Sequence, residues 1–471
     1  MRKTKIVCTI GPASDSEKML AELIDAGMNV ARLNFSHGNH DEHGKVIERI
    51  RKISQQKNTS VAILQDLAGP KIRVGQFKSG STTLKTGDEF ILTAEPDIGE
   101  PNKISVTYSR LPQELHAKDQ VLLADGSIEL RVKEIKNDDV ICEVIVGGEL
   151  SSNKGINLPE RSLAIAALTE KDRIDLKFGL EQGVDYIAMS FVRRADDISE
   201  IKKIMAAQKK YAPVIAKIEK HEALENIDDI LKVVDGIMVA RGDLAVETSL
   251  EKVPIAQKML IKKCNQAYKP VITATQMLKS MVESPRPTRA EANDVANAVL
   301  DGTDAVMLSE ETTIGAYPVK AVQVMAKIAQ AAEESDLVQP HQLWPIVGQK
   351  PKIEQAISHA AFQMAKDLDA AAILTPTQSG STAKMVSSYR PKQPVIAFSP
   401  DERVVRQLSL VWGVCPFYSG GYYNTVEMFE KVKDTALNAG LVKFGDTVVL
   451  TAGLSIGVPG TTNLLKAEVL K

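Results

Sequence analysis

A repeated unit constrains this chain more than any bulk property does. Four segments, AGMNVARLN, QGVDYIAMS, VVDGIMVAR and DGTDAVMLS, each place a Gly shortly before an aliphatic run that ends in a polar residue. That is the loop chemistry of a helix handing over to a buried parallel strand. Reading for it yields eight strands, at Lys5–Thr9, Asn29–Asn34, Val61–Asp66, Val184–Ser190, Val214–Glu219, Gly236–Arg241, Val271–Thr275 and Ala305–Ser309. Each is followed, or flanked through a loop, by a stretch of helical period such as Ser16–Asp25, His40–Ile53 or Glu170–Glu181. Thr288–Glu291 adds a capping-box match. Eight βα units predict an α/β fold of the (β/α)8 TIM-barrel type.

The alternation breaks after the third strand. From Gly69 to about Ala167 the helical period vanishes, and short strands such as Glu89–Thr93, Val121–Leu123, Ile128–Glu134 and Val140–Val146 are punctuated by Gly87-Asp88, Asp125-Gly126 and Gly147-Gly148. An inserted small β-barrel on the active-site side, hinged at Gly69-Pro70, is the expected lid. After the barrel, Leu337–Pro351 carries three Pro and reads as a linker. From Lys352 strands and helices alternate again, which predicts a doubly wound parallel sheet. The expected division is therefore 1–68 with 168–336 for the barrel, 69–167 for the lid and 352–471 for a C-terminal α/β domain.

Composition narrows the function classes. Net charge is −2 with 25% charged residues, so no global basic field points to nucleic acid or an anionic membrane. No apolar run approaches the ~20 residues of a membrane span, and the N-terminal stretch lacks a secretory signal pattern. Cys8, Cys142, Cys264 and Cys415 are far apart without CxxC spacing, which fits reduced thiols in a cytoplasmic protein.

Chemistry concentrates at the strand ends. In VIAKIE, Lys217 and Glu219 are two apart and share a face of their strand. Asp243 follows the next strand, and neighbouring parallel strands would bring it to Glu219 at the C-terminal mouth. Two carboxylates with water suit Mg2+, while a plain strand-end ion pair is the competing reading. Arg32 and Asn34 share a face of the second strand, with Ser36 and His37 beyond it, a donor set suited to phosphate. His37 taken alone reads as a loop histidine bonded to backbone ahead of a ligand. Asp66, Ser190, Thr275 and Ser309–Glu311 also end strands, so seven of eight strands finish in polar residues, which packing does not explain. Lys71 and Arg73 add charge beside the hinge. No Walker loop and no protein-kinase signature set is present, so a nucleotide would be held by another route. Ser151–Gly155 puts Lys154 near the lid's return and otherwise reads as a solvated loop. Thr375–Thr382 joins a strand to a helix with five hydroxyls in eight residues, either a plain turn or an anion site, and Gly453–Thr462 could form its second wall.

TKIVCTIGPAS, GMNVARLNFSHG, GPKIR, NKGINLP, AKIE, MVARGD, TATQML, PTRAE and DGTDAVMLS, taken together and in order, resemble pyruvate kinases across the barrel and both ends of the insertion. TQSGST and YRPKQPVIA extend the resemblance more loosely into the C-terminal third. It implies phosphoryl transfer from phosphoenolpyruvate to ADP, giving pyruvate and ATP, by a homotetramer that uses Mg2+ (Mn2+ as a substitute). It further implies Glu219 and Asp243 as Mg2+ ligands, and Lys217 and Arg32 as catalytic groups on the phosphoryl. Thr275 would orient substrate with Ser309 and Glu311 behind it. Ser190 and the Ala240–Arg241–Gly242 backbone would line the substrate site, and Asn34, His37, Arg73 and Lys154 the nucleotide site. Asn34, Ser36, Asp66 and Leu67 match a K+ position, but Lys71 stands where many members carry Glu, which implies K+-independent activity. Glu310 stands where others carry a small residue and would add negative charge near the metal. Gln378 stands where members regulated by fructose 1,6-bisphosphate often carry Lys, so Thr377, Gln378, Ser379, Gly380, Ser381 and Thr382 are expected to bind a sugar monophosphate or AMP instead. The rival readings are a Mg2+-dependent lyase or aldolase acting on phosphoenolpyruvate or 2-oxo acids, and a metabolite-sensing pseudoenzyme.

Overall fold

Eight strands close on themselves in the computed structural model, which describes residues 2–96, 99–159, 161, 163, 165–335, 337, 351–453 and 461–471. They are β1 (Lys5–Thr9), β2 (Val30–Asn34), β3 (Ala62–Asp66), β4 (Tyr186–Met189), β5 (Val214–Ile218), β6 (Gly236–Ala240), β7 (Val271–Ala274) and β8 (Ala305–Leu308), all parallel, with β1 pairing β8 to complete the barrel. Alternate residues explain why these runs are apolar on both faces. Val7, Leu64, Ile215, Met238 and Ile272 fill the interior, while Ile6, Cys8, Ile63, Val214 and Ile237 pack under the surrounding helices. Most strands stop one residue short of the sequence reading at their C-terminal end. Glu219, Thr275 and Ser309 have left the ladder and belong to the loops of the mouth.

The helices begin where their caps dictate. Ser16 accepts from the Met19 N–H, and Asn39, Thr169 and Thr288 each form a capping box. Where one helix was expected after β5, two short ones form, His221–Glu225 and Ile227–Val233, broken at Asn226.

The insertion has its own core of Val, Leu and Ile around Phe90 and Cys142. Its main sheet has six strands, from Ile156–Asn157 at one edge through Gln120–Leu123, Ile128–Lys136, Asp139–Val146 and Glu89–Thr93 to Lys103–Ser105. Ser81–Leu84 and Gly148–Ser151 form a second, two-stranded sheet. Residues 72–75 join the two edges of the six-stranded sheet, through the bridge Arg73–Gly155 beside one edge strand and Val74–Val106 beside the other, which rounds that sheet into the expected small barrel.

C-terminal to the barrel, β9 (Ala372–Pro376), β10 (Val395–Ser399), β11 (Val414–Tyr418) and β12 (Thr447–Gly453) are parallel. An edge strand absent from the sequence reading, β13 (Thr462–Val469), runs antiparallel to β12. Its half-exposed, mixed residues carry no buried-strand signal. This unit closes the barrel's N-terminal end: Leu410 joins the interior cluster, Tyr186 donates to Gln407 O at 2.7 Å, and Lys5 donates to Val414 O at 2.7 Å. Residues 338–350 of the expected linker Leu337–Pro351 and 454–460 of the expected second wall Gly453–Thr462 lie outside the described residues. Among the described residues no helix is long and apolar enough to cross a membrane. Among the described residues the four cysteines form no disulfide, and three of them are buried.

Candidate active site

At the C-terminal mouth one ammonium organises its neighbours. Lys217, the last inward residue of β5, donates to Ser190 Oγ at 2.6 Å and lies 3.0 Å from Glu219 Oε1 and 3.2 Å from Asp66 Oδ1. Ser190 in turn donates to Leu67 O at 2.8 Å. Asp66 ends β3 and also accepts from Arg32 Nε at 2.6 Å, while Arg32 NH1 donates to Thr9 Oγ1 at 2.9 Å. The remaining oxygen of Glu219 accepts from the Phe191 N–H at 2.7 Å. Both carboxylates are buried, with side chains only 1% exposed.

Burial and charge act on these groups in opposite senses. For Lys217 burial disfavours the charged form, but Asp66 and Glu219 outweigh it and hold the pKa above the ordinary lysine value. Burial likewise pushes Asp66 up, and the combined pull of Lys217 and Arg32 brings it below the usual carboxylate range. For Glu219 burial wins, reinforced by the negative charge of Asp243, so its pKa is raised despite Lys217. Two acids that repel each other in a dry pocket create a demand for positive charge.

Asp243 lies in the first turn of a short helix, Arg241–Glu247, that begins directly after β6. Lys71 meets it from the hinge at 3.0 Å and lies 3.6 Å from Asp125 of the lid. Burial lowers the pKa of Lys71, and Asp243 more than offsets this, so the ammonium persists. Among the described residues no group of three or more His, Cys, Asp or Glu side chains forms a metal cage. A Mg2+ ion here would have two carboxylates, Glu219 and Asp243, with the other ligands to come from water and substrate oxygens. That matches a small cation that keeps much of its water.

Thr275 follows β7 with φ 71°, and Gln276 with φ 55°, a left-handed pair unusual for a β-branched residue. Its hydroxyl accepts from the Gly242 N–H at 2.8 Å. A Cβ at Gly242 would stand 3.6 Å from that oxygen and fill the space between the two loops. The Arg241 side chain is spent elsewhere, on Asp294, Gln257 and the carbonyls of Ala274 and Thr275, so it holds the Thr275 loop in place. Glu311, 1% exposed, clamps the neighbouring turns by accepting from the N–H groups of Leu278 and Ser309. Glu310 pairs with the exposed Lys279, which neutralises the charge expected to trouble the metal.

The residues expected at the nucleotide lie on two bodies. Asn34 Oδ1 accepts from the Ser36 N–H at 3.2 Å and His37 is exposed, both on the barrel. On the lid, Arg73 donates to Asn153 O at 3.0 Å, beside exposed Lys154. Among the described residues no hydrogen bond or ion pair joins the two sets. Lys71 approaches Asp243 and Asp125 and makes no ion pair with Asp66 of the K+ set. In the C-terminal loop Thr377 Oγ1 accepts from the Gly380 N–H at 3.0 Å and Ser379 donates to Ser381 Oγ at 3.3 Å. Thr382 meets Thr462 at 2.6 Å, and Gln378 is exposed.

Sequence reading missed two partners. Thr9 ends β1 in a polar residue, the same signal that singled out the other strands, and supports Arg32. The Phe191 N–H, which fixes Glu219, leaves no trace in side-chain chemistry; Phe191 has φ 55°. At the hinge, a Cβ on Gly69 would approach Ser190 and Phe191 to 2.8 Å, and the Gly69 N–H donates to Asp172 at 3.1 Å.

Comparisons with known proteins agree with this geometry. Residues 1–322 match the family model for the pyruvate kinase barrel domain, and 355–467 that for its alpha/beta domain. The chain is 52% identical to pyruvate kinase 2 of Synechocystis and 49% identical to the pyruvate kinase of Geobacillus stearothermophilus, covering all of this chain and 80% of each relative. A crystal structure of a pyruvate kinase from Cryptosporidium parvum superposes with TM-score 0.93 at 39% identity, over 100% of this chain and 96% of that one.

Proposed function

Because the chain belongs to the pyruvate kinase family of phosphotransferases, we propose that it transfers the phosphoryl group of phosphoenolpyruvate to ADP at this mouth, yielding pyruvate and ATP. The observation that carries the reading is the Lys217 ammonium, held charged by Asp66 and Glu219 and aimed by Ser190 beside the Asp243 helix. Glu219 and Asp243 would hold Mg2+, with Mn2+ as a substitute. When bound, the ion would supply Lewis-acid charge to the phosphoryl oxygens.

This chain's own residues do the rest. Lys217 faces the bridging oxygen and neutralises the charge that develops there as the phosphoryl departs. Arg32, fixed by Asp66 and Thr9, holds the phosphate without reorganising. The backbone at Ala240–Gly242 would receive the substrate carboxylate, which would take the place of the Thr275 hydroxyl on the Gly242 N–H, and Gly242 leaves the space a side chain would fill. Thr275, kept in its left-handed turn by Arg241, orients the enolate for protonation, with Ser309 and Glu311 fixing the loop behind it. Lid closure would bring Arg73 and Lys154 over a nucleotide resting against Asn34 and His37, excluding water from the transfer.

Three finer points belong to the same reading. Lys71 carries a fixed positive charge into the mouth beside Asp243, and that charge stands in for the one K+ would bring to the Asn34, Ser36, Asp66 and Leu67 position, so turnover needs no monovalent cation. The Thr377–Thr382 loop binds a phosphorylated effector, a sugar monophosphate or AMP, within a cytoplasmic homotetramer. Its hydroxyls precede the Ser381–Ser388 helix, whose first N–H groups favour an anion. The deciding experiment couples pyruvate release to NADH oxidation while omitting ADP, Mg2+, K+ or effector in turn. ADP- and Mg2+-dependent pyruvate release is expected; release without ADP would overturn the phosphotransferase assignment.

A further inference from the structure

Three segments cross behind the mouth, and their side chains meet at one buried carboxylate. Glu247 Oε1 accepts from Asn157 Nδ2 at 2.8 Å and lies 2.8 Å from Lys220 Nζ. Glu247 is 2% exposed and Asn157 3%. Lys220 directly follows Glu219 in the chain. Glu247 stands one turn beyond Asp243 on the helix Arg241–Glu247, hence on the same face. Asn157 ends the lid strand Ile156–Asn157, at the edge of the six-stranded sheet. Each acid of the expected metal pair is thus one residue or one turn from this cluster, and the third member belongs to the lid.

The cluster is not saturated. Among the described residues Glu247 Oε2 and Asn157 Oδ1 are buried without a hydrogen-bond partner. Both residues line a small cavity of about 40 Å3 whose wall also includes Pro70 of the hinge, Phe191 and Arg193. Buried acceptors left open beside free volume leave room for a second arrangement of the same side chains when the lid changes its angle. We propose that Glu247 is a positioning residue that couples the lid's angle to the spacing of Glu219 and Asp243, so that lid position tunes divalent-cation affinity. The role given to the two acids rests on the phosphotransferase reading; the coupling itself does not.

The test uses the full chain and Mn2+ alone, titrated by electron paramagnetic resonance without substrates, together with hydrogen exchange at amides 155–158. Glu247→Ala should weaken Mn2+ binding ~10-fold, the usual scale for groups that orient metal ligands, while Glu247→Gln, which keeps an acceptor for Asn157, stays within about threefold of wild type. Asn157→Ala, distant in sequence from both acids, should speed exchange at 155–158 and weaken Mn2+ binding at least about threefold. Mn2+ binding within about twofold of wild type in Glu247→Ala would overturn the proposal, and so would the same result in Asn157→Ala should Glu247→Ala not fold. Absence of ADP-dependent pyruvate release in the wild type would instead sink the catalytic reading and leave these binding results standing.

Discussion

Replacing Lys217 by Met removes one charge and little volume, and the geometry around the ammonium sets the cost. It stands 3.0 Å from Glu219 and 3.2 Å from Asp66. At an effective dielectric of about 20, each contact carries roughly 5 kcal/mol of Coulomb attraction before desolvation is charged against it. Asp66 keeps Arg32 at 2.6 Å and stays compensated. Glu219 keeps the Phe191 N–H and loses the cation that opposed the rise of its pKa. The folding penalty should therefore lie toward the lower end of the ~3–5 kcal/mol of a broken buried ion pair, because Asp66 stays compensated. Catalysis should suffer as well, because the lost charge is the one proposed to face the oxygen where charge develops: a loss of about 3–4 kcal/mol, or ~10²–10³ in kcat. The coupled pyruvate assay measures the second quantity, and thermal melting with and without Mg2+ the first. A kcat within about tenfold of wild type in a folded Lys217→Met protein would refute the placement of this ammonium at the reacting oxygen.

Neighbouring groups carry further expectations. A carboxylate whose folded pKa is raised weakens folding as pH climbs from the unfolded value toward the folded one; Glu219 should thus make the metal-free protein lose stability over mildly acidic pH going up. Glu219→Gln should abolish that slope in melting curves taken in EDTA, and an unchanged slope would contradict it. Asp66, held below its ordinary value, acts oppositely, and the stability it contributes is lost only as pH falls through its lowered pKa. Turnover in tris or choline buffer should equal that in K+, and Lys71→Glu should create a K+ requirement; wild-type dependence on K+ would remove Lys71 from that role. Ser381→Asp should abolish activation by sugar monophosphates and AMP through repulsion at the helix start, and phosphoenolpyruvate saturation curves that respond as in wild type would exclude the loop as the effector site.

The barrel was legible because its code is local. An aliphatic run of about five residues framed by Gly and a capping residue specifies a buried parallel strand whatever its partners, and eight such runs allow few closed arrangements. The polar ends were legible for the same reason, since a Lys, Asp or Thr terminating an apolar strand has no packing rationale. The lid's pairing was less so, because short strands of mixed exposure such as Ser81–Leu84 and Lys103–Ser105 draw their order from contacts far along the chain. The antiparallel edge strand β13 escaped notice likewise.

Residue types and spacing alone determined which acids, cations and hydroxyls reach the mouth, because side-chain direction along a strand follows from its period of two. Only the tertiary structure decided how they share their charges: Lys217 divided between Asp66 and Glu219, Lys71 given to Asp243, Arg241 withdrawn to brace the Thr275 loop, and Glu247 joined to the lid through Asn157. Those pairings depend on Coulomb energies that change steeply over one ångström in a dry pocket, and distances of that kind exist only once the chain has closed.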